Sequence, residues 1–320
     1  MAIIDVYPNS STAIQDAVTL SNPGDVIRVH PGVYREDVQI ASEKSNIRII
    51  SKIRQGAILD GSHTLLEAFA LNDVAGVEIE GFIIKNYISG GIRIFSGKSN
   101  RILHNKISKI EGTSQPVGIF VTNSVGNFFM KNTIERIGKA GTGTGMSLNV
   151  VTGNWVIQNK LQYNAAHGIE VLDSIHDAIV DNKISKNKGV GIQIRGSENH
   201  LILNNKLYSN GSNAVDAQST NNYIVNSKIK GNRENGLLLS FNYNFAGLNE
   251  IKDNHQSGIQ IDSDYNDIQG NEIKKNINNG VIIRASHTGS MVFGNEIKKN
   301  KSHNIKDLGV NNNIFQNRIN

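Results

Sequence analysis

The sequence predicts an all-β chain whose short strands stack, turn upon turn, into a parallel solenoid. From Gly91 onward one phrase recurs every 22–27 residues: Gly-Ile-x-Ile, a polar turn, a short apolar run, and then Asn-x-Ile. Each repeat holds three short apolar runs with period-two alternation, broken by Gly, Asn or Ser, which favours three strands over helices. A single turn cannot bury its apolar side chains alone, so the repeats are expected to stack at strand spacing.

Equivalent positions of successive repeats form columns along the predicted solenoid. The first strand directs one apolar column inward, and each following strand contributes another, which predicts the core. Two columns of asparagine mark the turns, where Asn tolerates a left-handed backbone and its amide can bond the amide one turn away. The first runs through Asn105, Asn132, Asn159, Asn182, Asn205, Asn249, Asn271, Asn295 and Asn317, with Ser227 substituting once; the second through Asn164, Asn187, Asn210, Asn232, Asn254, Asn276 and Asn300.

The N-terminal segment differs from the repeats and predicts a cap. Thr12-x-x-Gln15 reads as a capping box before the apolar Ile14, Ala17 and Val18, which predicts a short amphipathic helix. We therefore expect a single domain over 1–320, with a cap and first strand at 1–25, irregular first coils at 26–90 and regular coils at 91–320. The repeat length predicts about 12 coils in total.

With these columns and the opening segment, the chain resembles the right-handed parallel β-helix proteins of the pectate-lyase-like superfamily. It is most similar to the repeat branch that includes mannuronan C5-epimerases and the periplasmic protein of nitrous-oxide-reductase copper maturation. Pro23-Gly24-Asp25-Val26-Ile27 and Ile58-Leu59-Asp60-Gly61 are typical of the first coils of that branch. The resemblance implies a single-stranded right-handed β-helix. The catalytic motifs of pectate lyases and polygalacturonases, and the Asp-Pro-His of alginate epimerases, are absent from the sequence.

Composition narrows the chemistry and the partners. The absence of cysteine excludes disulfides, thiolate metal sites and a cysteine nucleophile. A net charge of +5 favours anionic partners such as uronic-acid polysaccharides. Nucleic acid is not expected, because aromatic residues are sparse and no recognition motif is present. Met1–Asp5 has no signal peptide, and no apolar run is long enough for a membrane span. The expected location is nevertheless extracellular or at the cell surface.

The candidate site follows from where enzymes of this superfamily generally work, which is the groove over the first strand. We select the outward-facing residues of adjacent coils there. The catalytic candidates are His167, Glu170, Arg195 and Asp216, and the substrate-binding candidates are Phe120, Asn149, Asp173 and Gln193.

Two reactions are open for these residues. Glu170 and Asp216 lie two coils apart, roughly 9 to 10 Å, which suits an inverting hydrolase. Alternatively, Arg195 or Gln193 neutralises a uronate carboxylate while His167 removes the C5 proton, which gives a lyase or C5-epimerase acting on an acidic polysaccharide. A solvated outer strand that merely carries charged residues is the third interpretation.

A non-catalytic role also stays open at this point: a surface, spore-coat or phage-tail-like structural or glycan-binding protein. The last residues, Asn317–Asn320, end inside a coil, so self-association or a partner chain is expected at that edge. No cofactor is predicted; calcium at Asp262, Asp264 and Asp267 has no supporting motif.

One column of the third strand carries basic residues that also allow two interpretations. Lys160, Lys183, Lys206 and Lys228 are followed in the same column by Glu250, Glu272 and Glu296. These charges either keep the surface solvated or form a basic strip that binds an acidic polymer.

Overall fold

A computed structural model describes residues 1–112 and 114–319 of the chain. It contains two compact units, Met1–Ala166 and His167–Asn320, which we call unit 1 and unit 2. Each unit is built from short parallel strands in three sheets, A, B and C. The fold class is the right-handed parallel β-helix that the family resemblance implied.

Unit 1 contains one α-helix, one 3-10 helix and eighteen strands in its described part. The α-helix α1 spans Ala13–Leu20 and the 3-10 helix spans Ser42–Lys44. The strands are β1 (Ile3–Val6), β2 (Val26–Val29), β3 (Gly32–Tyr34), β4 (Val38–Ile40), β5 (Arg48–Ser51), β6 (Ala57–Asp60), β7 (Glu67–Asn72), β8 (Glu78–Glu80), β9 (Ile83–Lys85), β10 (Gly90–Phe95), β11 (Arg101–Leu103), β12 (Lys106–Ser108), β13 (Val117–Thr122), β14 (Phe128–Met130), β15 (Thr133–Glu135), β16 (Thr144–Asn149), β17 (Trp155–Ile157) and β18 (Lys160–Gln162).

The sheets of unit 1 place equivalent residues of successive turns side by side. Sheet A has the order β1-β2-β5-β8-β11-β14-β17, sheet B β3-β6-β9-β12-β15-β18 and sheet C β4-β7-β10-β13-β16. In sheet C, Ile92 pairs with Ile119 and Ile119 with Met146, and all three side chains are fully buried. Burying each such side chain stabilises the fold by about 1.5–3 kcal/mol, so the apolar columns supply the core.

The N-terminal helix forms as predicted, but the predicted capping box is wrong. Thr12 makes no side-chain capping bond; its Oγ1 donates instead to Asp16 Oδ2 at 3.0 Å. The amides of Ile14 and Gln15 donate to the carboxylate of Glu36 at 3.1 and 2.9 Å. A buried acidic side chain 22 residues away therefore caps the helix, because a carboxylate satisfies the free amides and complements the helix dipole.

Unit 2 consists of twenty-one strands in its described part, seven in each sheet. They are β19 (Ile169–Leu172), β20 (Ala178–Val180), β21 (Lys183–Ser185), β22 (Ile192–Glu198), β23 (Leu201–Leu203), β24 (Lys206–Tyr208), β25 (Val215–Thr220), β26 (Tyr223–Val225), β27 (Lys228–Lys230), β28 (Leu237–Leu239), β29 (Phe245–Gly247), β30 (Glu250–Lys252), β31 (Ile259–Ile261), β32 (Asp267–Gln269), β33 (Glu272–Lys274), β34 (Val281–Ile283), β35 (Met291–Phe293), β36 (Glu296–Lys298), β37 (Ile305–Asp307), β38 (Asn313–Phe315) and β39 (Arg318–Ile319).

Within unit 2 the strands follow each other in strict rotation. Sheet C has the order β19-β22-β25-β28-β31-β34-β37, sheet A β20-β23-β26-β29-β32-β35-β38 and sheet B β21-β24-β27-β30-β33-β36-β39. The described parts of units 1 and 2 each have seven strands in sheet A, so the prediction of about 12 coils was too low. The shortfall lies in the irregular opening at 26–90, where the repeated phrase does not mark the turns. The prediction of one domain stays a prediction.

Both predicted asparagine columns are hydrogen-bonded ladders. Asn182 Nδ2 donates to Asn205 Oδ1 at 3.1 Å. The main-chain amide of Asn205 donates to Ser227 Oγ, and this serine replaces asparagine at that step. In the second column Asn210 Nδ2 donates to Asn232 Oδ1 at 3.0 Å. These buried amides bond both the next amide and main-chain groups, so the turns are held in register from coil to coil.

A third ladder, before the strands of sheet A, was missed in the sequence. Asn222 Nδ2 donates to Asn244 Oδ1 at 2.9 Å, and the Asn244 amide donates to Asn266. In unit 2 the same positions of the preceding coils hold Asp177 and His200, whose Nδ1 accepts the Asp177 amide at 3.1 Å. The non-asparagine members hide the periodicity of this column from sequence reading.

Candidate functional site

The predicted site lies on the outer face of sheet C in unit 2, over β19, β22 and β25. The strand register places Glu170 beside Gln193, and Gln193 beside Asp216. Arg195 lies two residues after Gln193 on the same face, because alternate residues of a strand point to the same side. Four of the predicted site residues therefore lie on one surface: Glu170, Gln193, Arg195 and Asp216.

An ion pair links two of these residues across neighbouring strands. Arg195 Nη2 donates to Glu170 Oε1 at 3.2 Å. The Glu170 side chain is 17% exposed, whereas the Arg195 side chain is 47% exposed. The guanidinium therefore keeps further N–H donors open to the solvent side, where a bidentate contact with an incoming carboxylate is available.

Asp216 is the most perturbed group of the site. Its side chain is buried, Oδ2 accepts a hydrogen bond from Gln218 Nε2 at 3.1 Å, and Oδ1 has no hydrogen-bond partner among the described residues. Burial raises the pKa of Asp216, and Glu234 raises it further. Three neighbours lower the pKa of Asp216 against that rise: Gln218, Arg195 and the Asn213 side-chain amide. The Asn213 amide lies near Asp216 without forming a hydrogen bond to its Oδ1. The environment thus favours a protonated carboxyl.

Gln193 carries a second buried oxygen without a partner. Only 9% of this residue is exposed, and its Oε1 accepts no hydrogen bond from the described protein. A buried polar atom left unsatisfied costs about 1–3 kcal/mol, and native proteins leave few of them. Two such oxygens, on Gln193 and on its register neighbour Asp216, therefore lie on neighbouring strands of this face.

His167 stands at the entry to β19 and is held by the main chain. Its Nδ1 accepts the amide of Val190 at 3.1 Å, from which we infer that Nε2 carries the proton of the neutral ring. Burial lowers the pKa of His167, partly against the opposing effect of Glu170. In this arrangement His167 offers an N–H donor and has no free lone pair, which does not suit the base role considered from the sequence.

The other substrate-binding candidates lie elsewhere. Asp173 is exposed and follows β19 in a turn, with a left-handed φ of 48° and a carboxylate packed against Gly196, where an added Cβ would lie 2.2 Å from Oδ1. Phe120 and Asn149 belong to β13 and β16 in sheet C of unit 1, where both are half-buried.

Two contributors were not selected from the sequence. Gln218 binds the Asp216 carboxyl directly, and Glu234 adds its negative charge from the turn before β28. Glu234 is itself held by the hydroxyl of Ser212 at 2.5 Å. Gln218 lies in the same outward column as Arg195, so period-two alternation could have predicted its place. The position of Glu234 depends on the path of a turn and could not be predicted in this way.

Unit 1 contains a comparable ion pair on its own sheet C. Arg93 Nε lies 3.0 Å from Glu67 Oε2, and the two residues belong to neighbouring strands β10 and β7. Burial raises the pKa of Glu67, with Arg93 opposing. The register neighbours of Arg93 and Phe120 include Ser147 but no acid; the second carboxyl near this pair is Asp37, whose Oδ1 accepts the Glu67 main-chain amide at 2.9 Å and whose charge raises the pKa of Glu67 further.

Comparison with known protein families decides the family. The model described as periplasmic copper-binding protein (NosD) matches residues 12–223, which is more than half of the chain. The chain belongs to the NosD family. A second model, described as right handed beta helix region, matches residues 172–319 of this NosD-family protein. No curated protein matches it in sequence.

Solved structures of similar shape include carbohydrate enzymes and a phage-type protein. The mannuronan C-5 epimerase AlgE4 A-module of Azotobacter vinelandii superposes with a TM-score of 0.81 at 13% identity, covering 98% of this chain and 100% of that one. The periplasmic alginate epimerase AlgG gives 0.64 at 15% identity over 99% and 83%. The Dettilon tailspike protein gives 0.70 at 15% over 95% and 68%. At these identities the likeness shows the fold alone.

The residues of this chain do not fit a copper centre. Copper in proteins favours cysteine, methionine and histidine ligands, and the sequence has no cysteine and four methionines. Across 1–112 and 114–319 no group of three or more His, Cys, Asp or Glu side chains could hold a metal ion. Of the methionines, Met146 is fully buried in the core.

The described residues contain no helix that is long and apolar enough to cross a membrane.

Proposed function

We propose that the outer face of sheet C in unit 2 binds a uronate-containing polysaccharide and removes the C5 proton of one uronate, as a C5-epimerase or a lyase. The observation that carries this proposal is the buried Asp216 carboxyl, with a raised pKa and an unpartnered oxygen, beside the Glu170–Arg195 ion pair. A carboxyl whose pKa is raised, beside a second acid, is an arrangement that proton-transfer chemistry uses.

Neutralisation of the substrate carboxylate is the first requirement of this chemistry. A C5 proton is acidic only when the negative charge of the adjacent carboxylate is offset, since its removal places a further charge on that group. Arg195 is half-exposed and bonds Glu170 through one nitrogen, so it has donors left for the uronate. A preoriented donor of this kind stabilises the developing charge.

Proton transfer then assigns roles to the two acids. Glu170 takes the C5 proton, and the C–H electron pair moves into the carboxylate to give an enolate. In an epimerase, Asp216 returns its proton to the opposite face of C5. In a lyase, the electron pair forms the C4–C5 double bond, the C4–O4 bond breaks, and Asp216 gives its proton to the departing O4.

Substrate positioning falls to the remaining polar groups of the surface. Gln193 presents an unpartnered carbonyl oxygen that suits a sugar hydroxyl, and His167 presents the Nε2–H donor. Asp173, Phe120 and Asn149 stay predicted substrate contacts. The proposal includes a location outside the cytoplasm. This is supported by the NosD family and AlgG, both of which are described as periplasmic.

The proposal is tested by NMR in D2O with alginate and pectate as substrates. An epimerase exchanges C5 hydrogen for deuterium and changes the sugar configuration, whereas a lyase yields an unsaturated uronate. Asp216→Asn and Glu170→Gln are each expected to lower the rate about 100-fold, as for loss of a general acid or base. The rate of the wild type should fall as pH rises through the raised pKa of Asp216, because the protonated form is required.

Glu67→Gln in unit 1 is the matched control, since it removes an acid from a similar ion pair outside the proposed site. Its rate should stay within twofold of the wild type. Absence of exchange or cleavage with both substrates would overturn the catalytic proposal and leave the non-catalytic glycan-binding alternative. An equal loss with Glu67→Gln would overturn the choice of site.

A further inference from the structure

We propose that Lys183, Lys206 and Lys228, on the outer face of sheet B in unit 2, form a second binding surface for an extended polyuronate chain. We call these three residues the lysine ladder. The class of ligand rests on the proposed function, but the ladder lies on a different sheet from Glu170, Arg195 and Asp216. It is a holding site for the polymer and takes no part in the chemistry.

The register of sheet B creates the ladder. Lys183 pairs with Lys206, and Lys206 pairs with Lys228, each as the first residue of its strand. All three side chains are exposed. Neighbouring strands lie about 4.7–4.9 Å apart, so the surface carries one positive charge per turn along a straight line.

The same column changes character one turn later. Lys228 is followed by Glu250, and Glu250 by Glu272. Each of these acids is paired within its own strand, Glu250 with Lys252 and Glu272 with Lys274. The paired coils are locally neutral, whereas among the described residues the ladder lysines form no ion pair within 4 Å.

Three like charges at strand spacing are unfavourable by themselves, and of the three lysines Lys228 alone has an acid, Glu250, as its register neighbour. Like charges directly opposite each other on neighbouring strands destabilise a sheet, and two unit charges 4 Å apart interact by about 1 kcal/mol even in bulk water. A linear anion with one charge per repeating unit relieves this repulsion along the whole ladder and releases counterions. Further along the same column, glutamates replace the lysines, and each glutamate forms an ion pair with a lysine of its own strand.

A shallow cavity of about 220 Å³ marks the end of the ladder. It is lined by Tyr208, Lys228, Ile229, Lys230, Glu250 and Lys252. Tyr208 follows Lys206 by two residues on the same outer face and is half-buried. The apolar face of a sugar can pack on the Tyr208 ring beside the charged groups, because a tyrosine combines an apolar ring with a polar hydroxyl.

The spacing favours a polyuronate over duplex nucleic acid. A uronate chain bears one carboxylate on each pyranose, whose length along the chain is close to the strand spacing. Each strand of a DNA duplex has a charge every 3.4 Å or so along the axis, which falls out of step with the ladder at about 4.8 Å. The straight, one-charge-per-turn geometry therefore fits a 1→4-linked uronate chain.

The test measures binding of pectate and of alginate by calorimetry over a series of salt concentrations. The triple variant Lys183→Gln, Lys206→Gln, Lys228→Gln is expected to lose roughly 30-fold in affinity at low salt. The slope of log K against log salt should fall by about 2, as for three lost contacts with a single-stranded polyanion.

The matched control is Lys275→Gln, Lys299→Gln, Lys301→Gln, which removes the same charge from exposed positions of unit 2 outside the ladder. An equal loss in both triples would mean a nonspecific charge effect and would overturn the proposal, as would no loss in the ladder triple. Tighter, ladder-dependent binding of duplex DNA would overturn the choice of ligand. The catalytic proposal is judged by the rates of exchange and cleavage, and the ladder by affinity and its salt slope, so the two failures are separately visible.

Discussion

Unit 2 holds buried polar side chains in two places that differ in how completely they are satisfied. In the turns, the asparagine ladders bond each buried amide to the next one and to the main chain, as Asn205 does with Asn182 and with Ile179 O at 2.7 Å. On the outer face of sheet C, Gln193 and Asp216 each keep a buried oxygen without a partner. In the turns, His200 Nε2 and Asn279 Oδ1 also lack partners among the described residues, so a missing partner indicates a ligand-binding group only where the atom lies on an outer face.

Breaking the ladder is expected to have the largest effect. Asn205→Leu removes the acceptor of the Asn182 main-chain amide and a donor to the Ile179 carbonyl, both of which are buried. At about 1–3 kcal/mol for each unsatisfied group, the free energy of unfolding should fall by about 4 kcal/mol. Urea unfolding followed by circular dichroism measures this.

The control for that loss is Gln256→Leu, a similar change at an exposed turn position. It should alter the free energy of unfolding by less than about 0.5 kcal/mol. If Asn205→Leu were as mild as this control, the ladder would not be a stabilising element and the comparison would fail.

His200 sharpens the comparison, because it is a titratable member of a ladder. Burial lowers the pKa of His200 to about 4, against weaker opposing effects of the Ser174 and Asp177 main chain; His176 lowers it further. Asp177 Oδ2 lies 3.6 Å from its Nδ1. Between pH 6.5 and pH 4 the unfolded chain binds a proton that the folded chain does not. Stability should therefore fall by about 3 kcal/mol as pH drops through this range.

His200→Asn is expected to remove this acid sensitivity, since asparagine occupies the equivalent position at Asn222 and Asn244. The measurement is the free energy of unfolding of both proteins at a series of pH values, compared as a difference so that common carboxyl groups cancel. A difference that does not change between pH 7 and pH 4 would contradict the buried, neutral state of His200.

The smallest effect is expected on the outer face, and with the opposite sign. Gln193→Leu removes an unpartnered buried oxygen, so the free energy of unfolding should rise by about 1 kcal/mol. Affinity for the uronate polymer should fall at the same time, which is the trade-off expected of a residue kept for binding. Destabilisation by this substitution would show that Gln193 is a structural residue like the ladder amides.

Particular residues show why the fold was more predictable than the site. Period-two alternation decides which side of a strand a residue occupies, so Glu170, Gln193 and Asp216 were placed on one face from sequence. Alternation says nothing about burial by the turns beside a strand, so the raised pKa of Asp216 and the contribution of Glu234 were not predictable. The capping of α1 by Glu36 was not predictable for the same reason, since it depends on a contact between distant segments.

Sequence alone determined the fold class, the strand columns, the ladder asparagines and the shared face of the candidate residues, because a stacked repeat converts sequence period directly into neighbours one turn away. Tertiary structure alone decided which polar atoms are satisfied. It left the Gln193 and Asp216 oxygens unpartnered, tied His167 Nδ1 to a main-chain amide, and left the ladder lysines without an ion pair within 4 Å among the described residues, while pairing Lys252 with Glu250. These outcomes depend on distances of a few ångströms between side chains, which residue spacing along the chain does not encode.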